Sequence, residues 1–307
     1  MAAKIESTPG TAETLAAADG AFNVFDPDIQ AQVEFVDRPG QGTLSPLAGR
    51  TGAEGGQVTF EVELHGSGSA GSPTPAWAST FLPACGFAES SGVFTRESLH
   101  PEASGANTKT LTLGVYKDGL LKQIKGAQGT FEIVLRAGQP VRLRFTFTGV
   151  WTDPSDVALI APDYPSVSPL RFVSSGLTIG SWSPKVNEMS IDIGNNVVLR
   201  EDSANASGYH TAAITEWLTQ GSLDPEATLV ADNDIFGQWL NNHSEQALSI
   251  ALGGGSANGN TVAIASSKFQ WRNVQEGDRN GIAIDNPEFQ LNRATDAGDD
   301  EISITFA

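Results

Sequence analysis

The stretch QVTFEVELHG (residues 57–66) decides the fold. Val58, Phe60, Val62 and Leu64 alternate along it with Thr59, Glu61, Glu63 and His65. A period of two places the two sets on opposite faces of a β-strand. Burying each apolar side chain contributes about 1.5–3 kcal/mol. The apolar set therefore faces a core, and Thr59, Glu61 and Glu63 point the other way. Further out, the period recurs in TKTLTLGVY (108–116), FEIVLRAG (131–138) and QPVRLRFTFTG (139–149). In the last run Val141, Leu143, Phe145 and Phe147 face the core, while Arg142, Arg144, Thr146 and Thr148 face away. Residues 137–140 include Gly138 and predict a hairpin between the last two runs. If Arg142 and Arg144 share a face with Glu61 and Glu63, opposite-charge cross-strand pairs of about 0.2–1 kcal/mol each follow.

One short helix is predicted in this half. PTPAWASTFLPACGF (73–87) has Pro75 at its start, Trp77, Phe81 and Leu82 at helical spacing, and Gly86 as a stop. DRPGQGTLSPLAGRTGAEGG (37–56) is too long and too rich in Gly and Pro for an ordinary connection, and reads as an extended arm. A boundary is expected after Trp151, because prolines at 154, 162, 165 and 169 exclude helix and central strand. The reading divides the chain into residues 1–155, a Pro-rich linker at 156–170, and residues 171–307.

Past the linker the order of elements starts again. HTAAITEW (210–217) is expected to match QVTFEVEL, QALSIALG (246–253) to match TKTLTLGV, and ISITFA (302–307) to match RLRFTFTG. NDIFGQWLNN (233–242) takes the place of the helix, with Phe236 and Trp239 expected where Trp77 and Phe81 stand. The expected class is mainly β with short helices: two tandem β-sandwich or half-barrel domains, each with a small helix on its sheet.

Composition excludes several functions. The chain has 307 residues with 36 acidic and 18 basic side chains, a formal charge of −18. That argues against holding nucleic acid by phosphate neutralisation. The start MAAKIESTPG lacks an apolar signal region, and no apolar run is long enough to span a membrane. One cysteine, Cys85, allows no internal disulfide and reads as a buried small hydrophobe. His65, His100, His210 and His243 have no metal-ligand spacing. The acidic clusters DAGDDE (296–301) and QEGDRNG (275–281) do not match a calcium loop and read as capped turns. GGGSANGN (253–260) joins two strands as a tip rather than cradling phosphate. The six tryptophans are spread along the chain like core anchors. No catalytic residue, cofactor or metal is expected.

Several motifs in order resemble the tail tube (major tail) proteins of long-tailed bacteriophages. They are the start ESTPGT (6–11), the strand VEFVD (33–37), the Arg-containing arm (38–56), VELHGSG (62–68) and PAWASTFLPACGF (75–87). YKDGLLKQIKGAQGTFEIVLRAGQPVRLRFTFTG (116–149) continues the match. From about Leu177 the chain is similar to the family's appended second copy, with SIDIGN, RNGI and the ending DDEISITF. The resemblance implies a structural, non-enzymatic virion protein. Its rings stack, their inner wall is a β-barrel, and double-stranded DNA passes through without specific binding. With two tube domains per chain, three chains make a pseudo-hexameric ring. Implied partners are other copies, a tail terminator, and distal tail and tape-measure proteins, with assembly in the host bacterial cytoplasm and no membrane. The tandem form favours a flexible, non-contractile tail.

Within this resemblance Arg38, Pro39, Leu44, Leu47 and Arg50 are the expected inter-ring arm contacts. Thr59, Glu61, Glu63, Arg142 and Arg144 are the expected lumen-facing residues. In the second copy either Thr211, Ala213 and Thr215 or His210, Ala212 and Ile214 would line the lumen. Two other readings compete: a two-domain β-sandwich carbohydrate-binding or adhesin-type module, and a β-rich hydrolase using a carboxylate pair.

Overall fold

The strand that contains residues 57–63 is longer than its alternating core, and it organises the first half of the molecule. The computed structural model describes residues 1–43, 45–253 and 258–307. Leu44 and the centre of the GGGSANGN tip (254–257) lie outside the described residues. The chain begins with β1 (Ala2–Ile5), β2 (Phe25–Arg38) and β3 (Leu47–Glu63), then helix α1 (Ala76–Ala84). It continues through β4 (Phe87–Ser90), β5 (Val93–Arg96), β6 (Leu111–Lys117), β7 (Leu120–Arg136) and β8 (Arg142–Asp156). The second half holds β9 (Thr178–Ile179), β10 (Val186–Asp192), β11 (Asn195–Glu201), β12 (Tyr209–Trp217) and β13 (Gln220–Pro225). A one-turn helix α2 (Ile235–Gly237) follows and runs on as a π-helical turn, Gln238–Asn242. The chain closes with β14 (Gln246–Leu252), β15 (Val262–Arg279), β16 (Ile282–Leu291) and β17 (Ser303–Phe306).

The fold is mainly β, with the two short helices where the sequence places them. Strand order β2-β3-β8-β7 in the first half is matched by β10-β13-β16-β15 in the second. The correspondence extends outward: β1 pairs β6, which pairs β7, and β9 pairs β14, which pairs β15. The two sets of four join because β10 pairs antiparallel with β7, with Glu188 opposite Arg136 and Asp192 opposite Glu132. One continuous array eight strands wide results.

α1 buries Trp77, Phe81 and Leu82 against this array. Phe81 lies 4.9 Å from Phe60 and 5.3 Å from Phe145, ring to ring. The Trp77 indole N–H donates to the His65 carbonyl, 3.2 Å. In the second half the anchor differs from the expected one: Ile235 is buried, Phe236 is exposed and Trp239 only half-buried. A helix of one turn has room for one inward position, and Ile235 takes it. Trp271 and Phe269 of β15 fill the remaining space, their rings 4.5 Å apart.

Two expected matches are corrected by the pairing. HTAAITEW is β12, which forms with β11 a separate two-stranded sheet. The place of residues 57–63 is taken by β13, after a break at Leu218 and Thr219. The second half thus has its own long hairpin, but bent: β11–β12 folds back across β7 and β8, with Leu199 against Gly55 and Thr211 against Gly126. ISITFA supplies β17, which pairs the start of β15 beyond the end of β16. β16 and β17 together occupy the position of β8, interrupted by residues 292–302. Within the arm the chain from Leu47 is β3, paired with β2 as an exposed hairpin. Finally, β8 runs past Trp151 to Asp156, because the proline at 154 falls on its exposed end.

The halves interlock. β5 of the first half pairs β17 of the second, and Phe306 packs on Trp77 at 5.7 Å. At this junction Arg96 is buried. It donates to the Cys85 carbonyl and to Asn195 Oδ1, lies 4.1 Å from the Trp217 ring, and pairs with Glu301 at 3.2 Å. Burial pushes the Glu301 carboxyl up and the Arg96 guanidinium down to about 10, and their mutual attraction opposes both shifts. The pair ties β5, the start of β11 and the chain's end to one point.

Candidate functional site

Three surfaces stand out: the face of the eight-strand array turned away from α1, the two edges of that array, and the β2–β3 hairpin. The first is built by the alternation that builds the core. With Val58, Phe60 and Val62 buried, Thr59, Glu61 and Glu63 stand on the opposite face, and so do Arg142 and Arg144. Register sets Glu61 opposite Arg144, Glu63 opposite Arg142, and Thr59 opposite Thr146. Arg142 Nη1 donates to Glu61 Oε2 at 2.8 Å and Arg144 Nε to Glu61 Oε1 at 2.9 Å. Glu132 stands on the far side of Arg144 at 3.6 Å. Burial raises the Glu61 carboxyl, but the hydrogen bonds from Arg142 and Arg144 outweigh it and hold the group below its ordinary value. The same hydrogen bond raises Arg142. All five expected residues share this face, and Arg142 and Arg144 are matched by carboxylates within hydrogen-bond reach.

The face continues into the second half along residues the sequence reading did not single out. Glu188, Ser190 and Asp192 of β10 follow Arg136, Val134 and Glu132 of β7. Ser222 and Gln220 of β13 come next, then Glu288 and Gln290 of β16. Arg136 donates twice to Glu188, at 2.9 and 3.0 Å, across the junction between halves. The second-copy candidates from HTAAITEW do not reach this face. Thr211, Ala212 and Ala213 are buried under the folded-back hairpin, and His210, Ile214 and Thr215 belong to it. The alternation of EMSID was the available signal for β10. For β13 the signal was weak, since QGSLDP has one large apolar residue, Leu223, and a glycine.

The array ends in two open edges. β2 has β3 on one side and, among the described residues, no strand on the other. β15 pairs β14 up to Phe269 and β16 through Arg279. From Trp271 onward its side away from β16 is unpaired among the described residues. This is the edge at which β7 receives β10.

The hairpin carries the arm residues. Arg38 closes β2, and Leu47 and Arg50 open β3, with Arg38 opposite Leu47 and Val36 opposite Arg50. Pro39 begins the turn, and all four are exposed. Phe35, Val36 and Leu47 are exposed apolar residues on the same hairpin, Phe35 at 62% and Leu47 at 54%.

The remaining candidate groups have structural explanations. Cys85 is buried, which pushes its thiol above the ordinary range. His65 is buried with Nδ1 2.7 Å from the Gly66 carbonyl. Asp278 caps the β15–β16 turn at Gly281 N, and Asp299 and Asp300 bond Ser98 and Ala294. Among the described residues no group of three His, Cys, Asp or Glu side chains is placed to hold a metal. One residue of the ESTPGT motif went unread. Glu6, buried, accepts from Gly10 N, Thr110 Oγ1, Thr112 Oγ1 and Gly126 N at 2.7–2.9 Å. It clamps the N-terminal segment to β6 and β7.

No helix is long and apolar enough to cross a membrane. No curated protein matches the chain at a significant level. A family model described as "Phage tail tube protein" matches residues 1–307. The chain therefore belongs to the phage tail tube protein family.

Proposed function

We propose that three copies of this chain close into a pseudo-hexameric ring whose lumen is lined by the polar face, and that the rings stack into the conduit for DNA ejection. At the coarser level the family makes the protein a structural subunit of the virion that self-assembles into a tail tube. The observation that carries the finer reading is the β7–β10 junction. There the second four-strand set extends the first by main-chain pairing. β2 is the counterpart of β10, and β15 is the counterpart of β7. Pairing β2 of one copy with the open edge of β15 of the next repeats the internal joint, and the ring closes without free edges.

The dimensions support this. Eight strands from each of three chains give 24, at about 4.8 Å spacing a circumference near 115 Å and a mean diameter of roughly 37 Å. Strand tilt widens it further. A duplex about 20 Å across, judged from its groove depths, passes without dense contact. Three chains of −18 give −54 per ring, and a negative wall repels phosphates. In this reading residues 1–155 and 171–307 are two tube domains joined by 156–170. The arm at Arg38, Pro39, Leu47 and Arg50 reaches the adjacent ring. A tail terminator and the distal tail and tape-measure proteins meet the tube's ends, and assembly takes place in the host bacterial cytoplasm. Negative-stain images of purified protein test the proposal. Hollow rings with threefold averages and stacked tubes are expected; dispersed monomers at all concentrations would refute it.

A further inference from the structure

The hairpin tip and the segment around α2 lie at opposite ends of the strand array and have opposite character. β3, β8, β7, β10 and β13 are successive antiparallel neighbours. β3 and β13 therefore run in the same direction. The arm precedes β3, so it projects from the end where β3 starts. Residues 226–242 follow β13, so they project from the end where β13 stops.

Each end exposes apolar side chains that none of the described residues covers. At the arm these are Phe35 (62%), Val36 (46%) and Leu47 (54%). At the other end they are Leu229 (74%), Val230 (71%) and Leu240 (56%). The turn bearing Leu229 and Val230 is closed by hydrogen bonds from Asp232 N and Asn233 N to the Leu229 carbonyl, so these side chains are held outward. The charges are complementary. Residues 38–50 carry Arg38 and Arg50 and no acid; residues 227–242 carry Asp232 and Asp234 and no base. The basic pair sits at the hairpin's tip, while Glu34 and Asp37 flank Phe35 and Val36 below it.

We infer that residues 227–240 are the receptor for the arm of a second copy of this chain, so that arm and receptor join ring to ring. This rests on the tube reading and names the surface that the arm meets. The contact is heterologous: the donor patch at one end of the array fits a different patch at the other end, so it propagates without limit along an axis. Desolvated Leu and Val with flanking Arg–Asp pairs supply burial and register together.

Two experiments test it. Leu229→Glu with Val230→Glu alters exposed side chains only, so folding and single rings are expected to persist. The concentration needed for tubes should rise about ten-fold or more, each ten-fold being 1.4 kcal/mol of lost contact. In the second experiment, chains carrying Leu47→Cys are mixed with chains carrying Val230→Cys and oxidised. Cross-linked pairs of the two are expected, with none from either chain alone; native Cys85 is buried and takes no part. Normal tubes from Leu229→Glu/Val230→Glu, or no cross-linking within wild-type-like tubes, would overturn this receptor while leaving the tube reading standing. Failure of the unaltered protein to form rings or tubes would overturn both.

Discussion

Glu6 shows what a family motif means at the scale of one residue. Its carboxylate satisfies two backbone N–H groups and two threonine hydroxyls in a buried position. Each donor left unpaired costs about 1–3 kcal/mol. Glu6→Ala is therefore expected to lower unfolding free energy by about 3 kcal/mol or more, read from the urea midpoint. A loss within experimental scatter would show that water replaces the carboxylate freely. Glu61 supplies a pH test. Its folded-state carboxyl lies below the ordinary 4.5, so its pairing with Arg142 and Arg144 contributes fully above that value. The contribution is lost as pH falls through the lower folded-state value, because the unfolded chain takes up the proton first. Glu61→Gln should be less stable than the unaltered chain near neutral pH, by the modest amount of an exposed ladder, and the gap should close in acid. A gap independent of pH would mean that the pairing is not ionic in origin. The ladder was legible in the sequence because period two leaves no choice of face. Glu6 was not, because its four donors come from 4 to 120 positions away.

At the scale of elements, the sequence was clearest where pattern and environment agreed. The alternation of residues 58–64 and 141–147 fixed β3 and β8, and the Pro75-to-Gly86 frame fixed α1. It misled where a strand's partner is other than solvent and core. HTAAITEW has the stronger β-pattern and so predicts the match to QVTFEVEL, yet its buried residues face β7 and β8. The counterpart of β3 in the strand order, β13, carries Gly221, where a Cβ would press on the Phe289 ring and the Ser190 carbonyl. Tight packing demands the residue that most weakens a strand signal. The β2–β3 arm was legible as an arm but not as a hairpin, since its Gly and Pro content suppresses β-propensity while register with β2 restores the ladder. Among the described residues, deleting 40–52 removes only exposed and half-buried parts of that hairpin. The shortened protein is expected to keep its thermal midpoint within a few degrees and to lose tube formation, as seen by sedimentation. Tubes of unchanged length would remove the arm from the assembly.

At the scale of the molecule, the polar face concentrates paired charge across both halves of the array. Its first-half part sets Glu61, Glu63 and Glu132 against Arg136, Arg142 and Arg144, and the arginines are locally paired. The second-half part holds Glu188, Asp192, Asp224 and Glu288. In the first half of the face each guanidinium's hydrogen bonds are directed to a neighbouring carboxylate, whereas Arg272 of β15 donates to Gln220. Glu61→Lys with Glu63→Lys breaks that arrangement. Arg142 and Arg144 lose their nearest partners, and new ammonium groups join them on the same face. Both sites are half-exposed, so rings are expected to persist. If the face lines the lumen, the unpaired positive charge meets the duplex at every ring, and ejection should slow most at low ionic strength, where screening is weakest. Glu201→Lys with Glu216→Lys makes the same change of charge on the exposed side of the folded-back hairpin and should leave ejection unchanged. Equal slowing by both pairs would trace the effect to net charge alone. Unaltered ejection by the first pair at low salt would place the polar face on the outside of the tube, with the core and α1 toward its axis.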